Sequence, residues 1–321
     1  MSRSSAKIKA ARLSIATATL LALLKLVTSL FTGSLAVLSS AVDSLLDILM
    51  SGINYLAIRQ AEQPADDNHP FGHGKYETLA TLFQASAIIL SGGWLIYEST
   101  QRLMSGVSLN RLGEGAGALA ISAVASYGIS RHLRKVGKET DSSALQADAL
   151  HFSMDVYTNL ALLGGLIVIS LADLPWLDPI LSLLVACYIL FEALRLGRHG
   201  LRDVLDEELP EPIRDQITEL LDKHRELHLD YHNLRTRRAG SQKIMDFHLT
   251  VCKHLSVQQA HSIADHLEKQ IQREIDGSDV TIHIEPCLRE GCPGHDLCTE
   301  EKTRLFEDHQ KNEKKEGGEE P

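Results

Sequence analysis

The sequence predicts an α-helical membrane domain with six transmembrane helices, followed by a small α+β domain. Two observations support this fold class: apolar runs dominate residues 13–200, whereas residues 201–321 are polar, rich in His and acidic. A helix needs about 20 predominantly apolar residues to span a bilayer. The chain has 321 residues, which is enough for a membrane bundle and a small soluble domain.

Six apolar stretches approach the length of a membrane span. They cover residues 13–31, 36–58, 78–103, 114–131, 148–171 and 177–198. The fourth stretch is the weakest candidate, because Gly, Ala and Ser dominate it. Small residues let membrane helices approach one another closely, so this stretch fits a span that is packed among its neighbours.

The charges between the stretches predict how the chain is oriented. Basic residues precede the first stretch and follow the second, fourth and sixth; these are Arg3, Lys7, Lys9, Arg12, Arg59, Lys75, Arg131, Arg134, Lys135, Lys138, Arg195, Arg198 and Arg202. The alternate connections carry only Arg111. Because basic residues concentrate in cytoplasmic loops, we expect both termini in the cytoplasm.

Beyond Pro210 the spacing of apolar residues changes to that of a small α+β domain. Helices are predicted over 211–224 and 256–275, and strands over 229–240, 241–253 and 277–286. Ser256 stands where a helix N-cap is expected. The order αββαβ fits a ferredoxin-like sandwich. The expected domains are therefore a membrane domain over residues 8–203, a cytoplasmic domain over 204–290 and a disordered tail over 291–321.

The composition narrows the classes of partner and site. The formal net charge is -10 and no basic stripe with interleaved aromatic residues is present, so no nucleic-acid binding is expected. Five cysteines without a secretory context argue against a disulfide framework. The spacing of Cys287, Cys292, His295 and Cys298 could form a Cys₃His zinc site, but a flexible tail with reduced thiols is the favoured interpretation.

Two pairs of ionisable residues lie inside apolar stretches. Asp43 and Asp47 are four residues apart, and His151 and Asp155 repeat this spacing. With about 3.6 residues per turn, each pair lies on one face of its helix. Ionisable groups at membrane depth usually mark an ion path, and two facing pairs would offer carboxylates and an imidazole to a divalent metal. The absence of sulfur favours Zn²⁺, Fe²⁺, Mn²⁺, Co²⁺ or Cd²⁺ over Cu⁺.

A second candidate cluster lies in the loop between the second and third stretches. Asp66, His69 and His73 fall within eight residues there. Two imidazoles and a carboxylate at short spacing can bind a metal. The same Asp-rich segment also suits an ordinary polar turn, and the spacing alone supports both interpretations.

A third group of candidates lies in the α+β domain. His232, His248, His261 and His283 are spread over its predicted strands and second helix. His283 and Glu285 are two residues apart on one strand, so their side chains share one side of it. A single His on a strand is usually structural, whereas four in one small domain suggest ligands.

Two further charges lie inside apolar stretches. Lys25, in the first stretch, should either face the helix bundle or extend to the membrane surface. Asp148 lies three residues before His151, on a similar face of the same helix. It can support the ligands, but its place at the start of the fifth stretch favours a position at the membrane interface.

Four segments together resemble the cation diffusion facilitator family, in its branch of ferrous-iron and zinc efflux pumps. They are SLAVLSSAVDSLLD (34–47), PADDNHPFGHGKYETLA (64–80), ALQADALHFSMDV (144–156) and the His-bearing α+β domain. The resemblance covers about residues 8–288. It implies a homodimer in the inner membrane of a bacterium that exchanges cytoplasmic metal for protons.

The resemblance also implies which residues bind metal. The transport site of the family falls on Asp43, Asp47, His151 and Asp155. The loop site falls on Asp66, His69 and His73, and a metal pair at the dimer interface falls on His232, His248, His261, His283 and Glu285. The family commonly has Asp at the position of Glu285, so the longer side chain leaves the geometry of that site open.

The expected function is efflux of a divalent metal cation in metal homeostasis and detoxification. Zn²⁺ or Fe²⁺ is the expected substrate, with Cd²⁺, Mn²⁺ and Co²⁺ as further candidates, and Zn²⁺ or Fe²⁺ is also the expected structural or regulatory ion of the cytoplasmic domain. Transport would proceed by alternating access in antiport with protons, so we expect a secondary active transporter and not an enzyme. Besides metal ions, protons and a second copy of the chain, the remaining expected partner is membrane lipid.

Three other classes of protein fit the sequence less well. A channel would need a continuous polar lining, whereas these polar residues converge on one compact site. A membrane metalloenzyme would need an open coordination position and a general base, and no HExxH motif is present. A metal sensor would bind metal in the soluble domain without transport, and proton-coupled flux distinguishes it from a transporter.

Overall fold

The computed structural model describes residues 3–32, 35–105, 116–172, 177–288 and 290. The chain divides into two compact units: the first ends at Leu205 and also includes Ala239–Ser241, and the second has Asp206–Arg238 and the residues from Gln242 onward. The first unit is built from long helices and the second from short helices and a sheet.

Long helices make up the first unit. Within the described residues they are α1 (Arg3–Thr32), α2 (Leu35–Ala61), α3 (Lys75–Ser105), α4 (Ala116–Glu139), α5 (Ser143–Ala172) and α6 (Leu177–Val204). The described part of each predicted apolar stretch lies in one of these helices; residues 114–115 of the fourth stretch are outside the described residues. α1 and α5 have 30 residues each, which at about 1.5 Å per residue exceeds the ~30 Å hydrocarbon core of a bilayer.

Three segments of these helices are long and apolar enough to cross a membrane, when only the described residues are considered. They are Arg3–Phe31, Lys75–Met104 and Pro179–Val204. Large apolar side chains are exposed on them, including Phe31 (88%), Leu90 (74%) and Trp94 (67%). Exposed apolar surface of this kind is expected where a helix contacts lipid.

Small residues allow the helices of the first unit to pack closely. Ala10, Ala18 and Ala149 lie in its main core cluster together with the fully buried Leu133 and Phe152. These residues belong to α1, α4 and α5. Because lipid offers no hydrophobic drive between helices, close backbone approach through small residues is a principal source of packing energy in a membrane.

Polar contacts supplement this packing at one end of α1. Lys7 is 2% exposed and its Nζ donates to carboxylate oxygens of Glu62 and, at 3.0 Å, Glu77. Ser142 donates to the other Glu77 oxygen at 2.7 Å. A buried charge is tolerated only when it is paired in this way.

The second unit has the predicted order of elements. It contains α7 (Glu211–Lys223), β1 (Asp230–Ala239), β2 (Gln242–Val251), α8 (Val257–Glu274) and β3 (Ser278–Pro286). The strands form one sheet in the order β1-β2-β3, and β2 and β3 are parallel. In this register His248 lies opposite His283, and Thr250 lies opposite Glu285.

The two faces of the sheet differ in character. On β2, Met245, Phe247 and Leu249 are buried and belong to the core that also contains residues of α7 and α8. Because side chains alternate along a strand, His248 lies on the opposite face. One face therefore packs on the helices and the other is free to present polar side chains.

Local signals explain the ends of these elements. The Ser256 side chain accepts a hydrogen bond from the backbone N–H of Gln259, and the Gln259 side chain accepts from the backbone N–H of Ser256. This capping box confirms the predicted start of α8. Gly240, between β1 and β2, has a φ of 63°, a conformation that glycine adopts without strain.

We predict that Phe247→Ala destabilises the second unit by about 3–5 kcal/mol, because the side chain is fully buried between sheet and helices. Amide hydrogen exchange of α8 and β2 in the purified full-length protein would measure the change. Val257→Ala is the matched control, since Val257 is 88% exposed. Equal protection in both variants would contradict the assignment of Phe247 to the core.

Candidate metal sites

Side chains of α2 and α5 meet inside the first unit to form a group of possible ligands. Asp47, on α2, and His151 and Asp155, on α5, each offer a ligand atom, and these atoms all lie within 4.8 Å of one another. His151 Nε2 is 2.9 Å from Asp47 Oδ1. Both side chains are mostly buried, with 14% and 17% exposed.

Asp43 is the fourth residue predicted for this site. It lies on α2, one turn before Asp47, but its side chain lies outside what the structure describes. The structure thus brings together three of the four predicted ligands. The participation of Asp43 stays a prediction from helix spacing.

The chemistry of this group suits a divalent metal. Two carboxylates and one imidazole converge on a common point, and one more oxygen would complete a four-coordinate arrangement of the kind that zinc prefers. In the structure His151 and Asp47 are hydrogen-bonded to each other. A metal and a proton would therefore compete for the same atoms.

Asp148 is not a charge at the start of its helix, and that part of the prediction is wrong. The residue is completely buried, and its carboxylate accepts hydrogen bonds from Ser14 Oγ at 2.5 Å and Ser51 Oγ at 3.3 Å. The reason is that α5 begins at Ser143, ahead of the apolar stretch, so Asp148 is inside the helix rather than at its start.

Lys25 faces the helix bundle, as predicted. It is 9% exposed, and its Nζ donates a hydrogen bond of 2.8 Å to Ser44 Oγ on α2. An ammonium group inside a membrane helix is costly without such a partner.

The loop between α2 and α3 brings Asp66, His69 and His73 together. Their ligand atoms lie within 4.8 Å of one another. The Asp66 carboxylate is shared: Oδ1 is 3.0 Å from His69 Nδ1, and Oδ2 is 3.3 Å from His73 Nε2. His73 is buried, whereas Asp66 and His69 are exposed.

The same carboxylate also shapes the loop. Asp66 Oδ1 accepts backbone hydrogen bonds from Asn68 at 3.0 Å and His69 at 2.7 Å, which is the turn chemistry expected of an Asp. Desolvation raises the pKa of the Asp66 carboxyl, but donation from the backbone of His69, its ring and the backbone of Asn68 outweighs it and leaves the pKa below its ordinary value. The carboxylate is thus held in the ionised form that binds metal.

A third group lies on the polar face of the sheet. His232 on β1, His248 on β2 and Glu285 on β3 place ligand atoms within 4.8 Å of one another. Glu285 bridges the two imidazoles, with Oε1 at 2.8 Å from His248 Nδ1 and Oε2 at 3.4 Å from His232 Nε2. His283 lies beside them, 67% exposed, with Nε2 at 3.8 Å from Glu285 Oε1.

His261 is separate from this group among the residues that the structure describes. It lies on the exposed surface of α8, and its role as a ligand stays a prediction. Asp230, which sequence reasoning missed, lies near the group, with Oδ2 at 3.7 Å from His232 Nδ1. A carboxylate at the second ring nitrogen orients a ligating imidazole. The sequence did contain a signal for Asp230: it lies two residues before His232 on β1, so both side chains lie on the same side of the strand.

The candidate site of the tail cannot be compared with the prediction. Cys292, His295 and Cys298 lie outside the described residues. Cys287 is described and is a half-buried free cysteine.

Comparison of the sequence with known protein families shows which family the chain belongs to. The model of the cation efflux transmembrane domain matches residues 11–205, and the model of the cation efflux protein cytoplasmic domain matches residues 209–287. The chain belongs to the cation efflux family. The resemblance to cation diffusion facilitators of the iron and zinc branch is therefore confirmed, as is the fold class of a helical membrane domain followed by a cytoplasmic domain with helices and strands.

The relatives of this cation efflux protein are pumps. The cation-efflux pump FieF of Salmonella typhi is 37% identical over 281 residues, which cover 87% of this chain and 92% of the relative. FieF of Salmonella agona has the same identity and coverage. The protein is thus a cation efflux transporter rather than an enzyme, and a multi-pass protein of the inner membrane.

Solved structures match only part of this cation efflux protein. The Zn form of CzrB is 37% identical and covers 26% of this chain and 98% of its own, with a TM-score of 0.23. The metal-bound C-terminal domain of the CzcD transporter from Thermotoga maritima is 29% identical and covers 24% of this chain and 91% of its own, with a TM-score of 0.23. These TM-scores are too low to support a comparison of folds.

We predict that Asp66→Ala weakens zinc binding at the loop about 10- to 100-fold, because it removes both a ligand and the turn that places His69. Calorimetric titration of the purified protein would show the loss of one class of site. Asp67→Ala is the matched control, since it removes an exposed carboxylate from the same loop. The zinc affinity of the unmodified loop should decrease as the pH is lowered, because the ligands must lose protons in order to bind the metal.

We predict that Glu285→Gln lowers the zinc affinity of the cytoplasmic domain by at least about 10-fold, because the bridging carboxylate loses its charge. Zinc titration against a competing chelator would measure this loss in the full-length protein. Asp279→Asn, an exposed change on the same strand, should leave the affinity unchanged. Equal affinities of the two variants would show that Glu285 is not a ligand.

Proposed function

We propose that the protein exports Zn²⁺ or Fe²⁺ in antiport with protons through an intramembrane site formed by Asp43, Asp47, His151 and Asp155. The observation that carries this proposal is the convergence of Asp47, His151 and Asp155 between two long helices of the membrane domain. Ionisable groups in such a position are retained for function, because their burial is costly.

The proposed coupling to protons follows from the shared ligand atoms. His151 Nε2 and Asp47 Oδ1 contact each other at 2.9 Å, so a metal must replace a hydrogen bond that contains a proton. The Nε2 atom of His151 can bind either a proton or a metal, which makes this imidazole the natural proton carrier. Metal bound from the cytoplasm would displace protons, and protons from the other side would release it.

Alternating access would expose this site to each side of the membrane in turn. The ligands lie on two helices, so a movement of α5 relative to α2 both opens the site and changes its geometry. Rocking of helix groups around a fixed site is the usual scheme for secondary transporters. The inward proton gradient would then drive export, with both termini in the cytoplasm.

The ligand chemistry limits the substrate class. Oxygen and nitrogen ligands without sulfur suit Zn²⁺ and Fe²⁺, with Cd²⁺, Mn²⁺ and Co²⁺ as further candidates. Export of such ions serves metal homeostasis and detoxification. The two groups outside the membrane, around Asp66 and Glu285, would hold Zn²⁺ or Fe²⁺ as structural or regulatory ions.

The group on the sheet supports a role in a homodimer. It lies on the polar face of the sheet, where a second copy of the chain could reach it. His261 and His283 would join the site at the dimer interface, since His283 is already 3.8 Å from Glu285. Metal bound there would hold the two cytoplasmic domains together and favour a transport-competent dimer.

The test is metal flux into proteoliposomes with and without a pH gradient. Gradient-dependent Zn²⁺ or Fe²⁺ flux should fall at least about 100-fold in Asp47→Ala, because a ligand and the partner of His151 are removed together. Glu98→Gln is the control: it neutralises a carboxylate of the membrane domain that pairs with Arg102 on its own helix. Metal flux that persists in Asp47→Ala would refute the proposed transport site. Metal flux that does not depend on the pH gradient would refute antiport with protons.

A further inference from the structure

Asp148 lies at the centre of a buried polar network, one turn before His151 on α5. Its carboxylate accepts hydrogen bonds from Ser14 Oγ on α1 (2.5 Å), Ser51 Oγ on α2 (3.3 Å) and Gln84 Nε2 on α3 (3.5 Å). All of these side chains are at most 1% exposed. One carboxylate therefore joins α5 to three other helices.

Further hydrogen bonds close the network. Ser14 Oγ also donates to Ser51 Oγ at 3.0 Å, and Asn54 Nδ2 donates to Gln84 Oε1. Asn54 reaches back to α5 through the carbonyl oxygen of Ala144 at 3.5 Å. The contacts depend on one another, so a shift of one helix would leave several buried polar groups without partners.

The network and the metal ligands form adjacent layers of one helix interface. Ser51 lies four residues after Asp47 on α2, and Asp148 lies three residues before His151 on α5. The contact of Asp47 with His151 and the contact of Ser51 with Asp148 are thus one turn apart on antiparallel helices. A displacement in one layer is transmitted to the other because the helices are rigid over one turn.

We propose that Asp148 is a positioning residue of the metal site. By accepting hydrogen bonds from α1, α2 and α3, it sets the place of α5 and thereby the distance of His151 and Asp155 from Asp47. This inference rests on the proposed function of that site. It assigns Asp148 no contact with the metal and no role that depends on its charge, so an uncharged side chain of the same shape should replace it.

The test compares the KM and Vmax of Zn²⁺ flux in proteoliposomes. Asp148→Ala should raise KM about 10- to 100-fold, because loss of a group that orients ligands typically weakens metal binding by this factor. Asp148→Asn should stay within about threefold of the original KM, since its amide oxygen accepts and the serine hydroxyls can rotate to accept from its NH₂. A role in folding alone would lower Vmax per protein and leave KM unchanged.

Ser130→Ala is the matched control. Ser130, on α4, makes buried hydrogen bonds to α5, at 2.7 Å to Ser153 Oγ and at 2.8 Å to the carbonyl oxygen of Ala149. Its loss loosens α5 from α4 but removes none of the hydrogen bonds that Asp148 accepts from α1, α2 and α3. Its KM should equal that of the original protein. Ser51→Ala should raise KM less than Asp148→Ala, and the double variant should be no worse than Asp148→Ala, because both changes break the same network.

Two results would overturn the inference. One is a KM for Asp148→Ala equal to that of Ser130→Ala; the other is a KM for Asp148→Asn as high as that of Asp148→Ala, which would assign the effect to charge. Either result, together with loss of flux in Asp47→Ala, would leave the proposed transport site intact. Normal flux in Asp47→Ala would instead refute the transport site itself.

Discussion

The contact between His151 and Asp47 is the interaction on which the membrane domain depends. It joins two long helices, and both side chains are mostly buried, so neither group can stay there without a partner. The proposed metal site is thus also a helix–helix contact. Occupation of that site by an ion, or by protons, would change the interaction that holds α2 against α5.

The cytoplasmic domain separates folding from binding by using the two faces of one sheet. Phe247 and Leu249 of β2 are fully buried on the face that packs with the helices, whereas His248 between them faces the other way. Because side chains alternate between the two faces of a strand, one segment can supply both core residues and candidate metal ligands. Substitutions on the ligand face should alter metal binding with little effect on stability.

Much of this architecture could be predicted from the sequence because it depends on local patterns. Apolar length located the long helices, alternation located the strands, and a capping box marked the start of α8. The pairs at Asp47 and His151 were found because charged residues in apolar helices are rare. Their convergence on one point was only a hypothesis, since it depends on which helices are neighbours.

What could not be predicted depends on contacts between distant segments. The network around Asp148 joins serines and amides of four helices, and such residues are common enough that none stands out in a sequence. The bridging role of Glu285 required the register of β2 and β3. The helix-start position predicted for Asp148 was wrong because α5 begins at Ser143, before its apolar stretch.

The turn at Asp66 bears on how fast the loop can capture an ion. One oxygen of the carboxylate accepts hydrogen bonds from the backbone N–H groups of Asn68 and His69, and these bonds fix the turn. The loop is preorganised, so it loses little conformational entropy when an ion arrives. Capture should then be limited by diffusion and by the exchange of water from the ion, and not by a rearrangement of the chain.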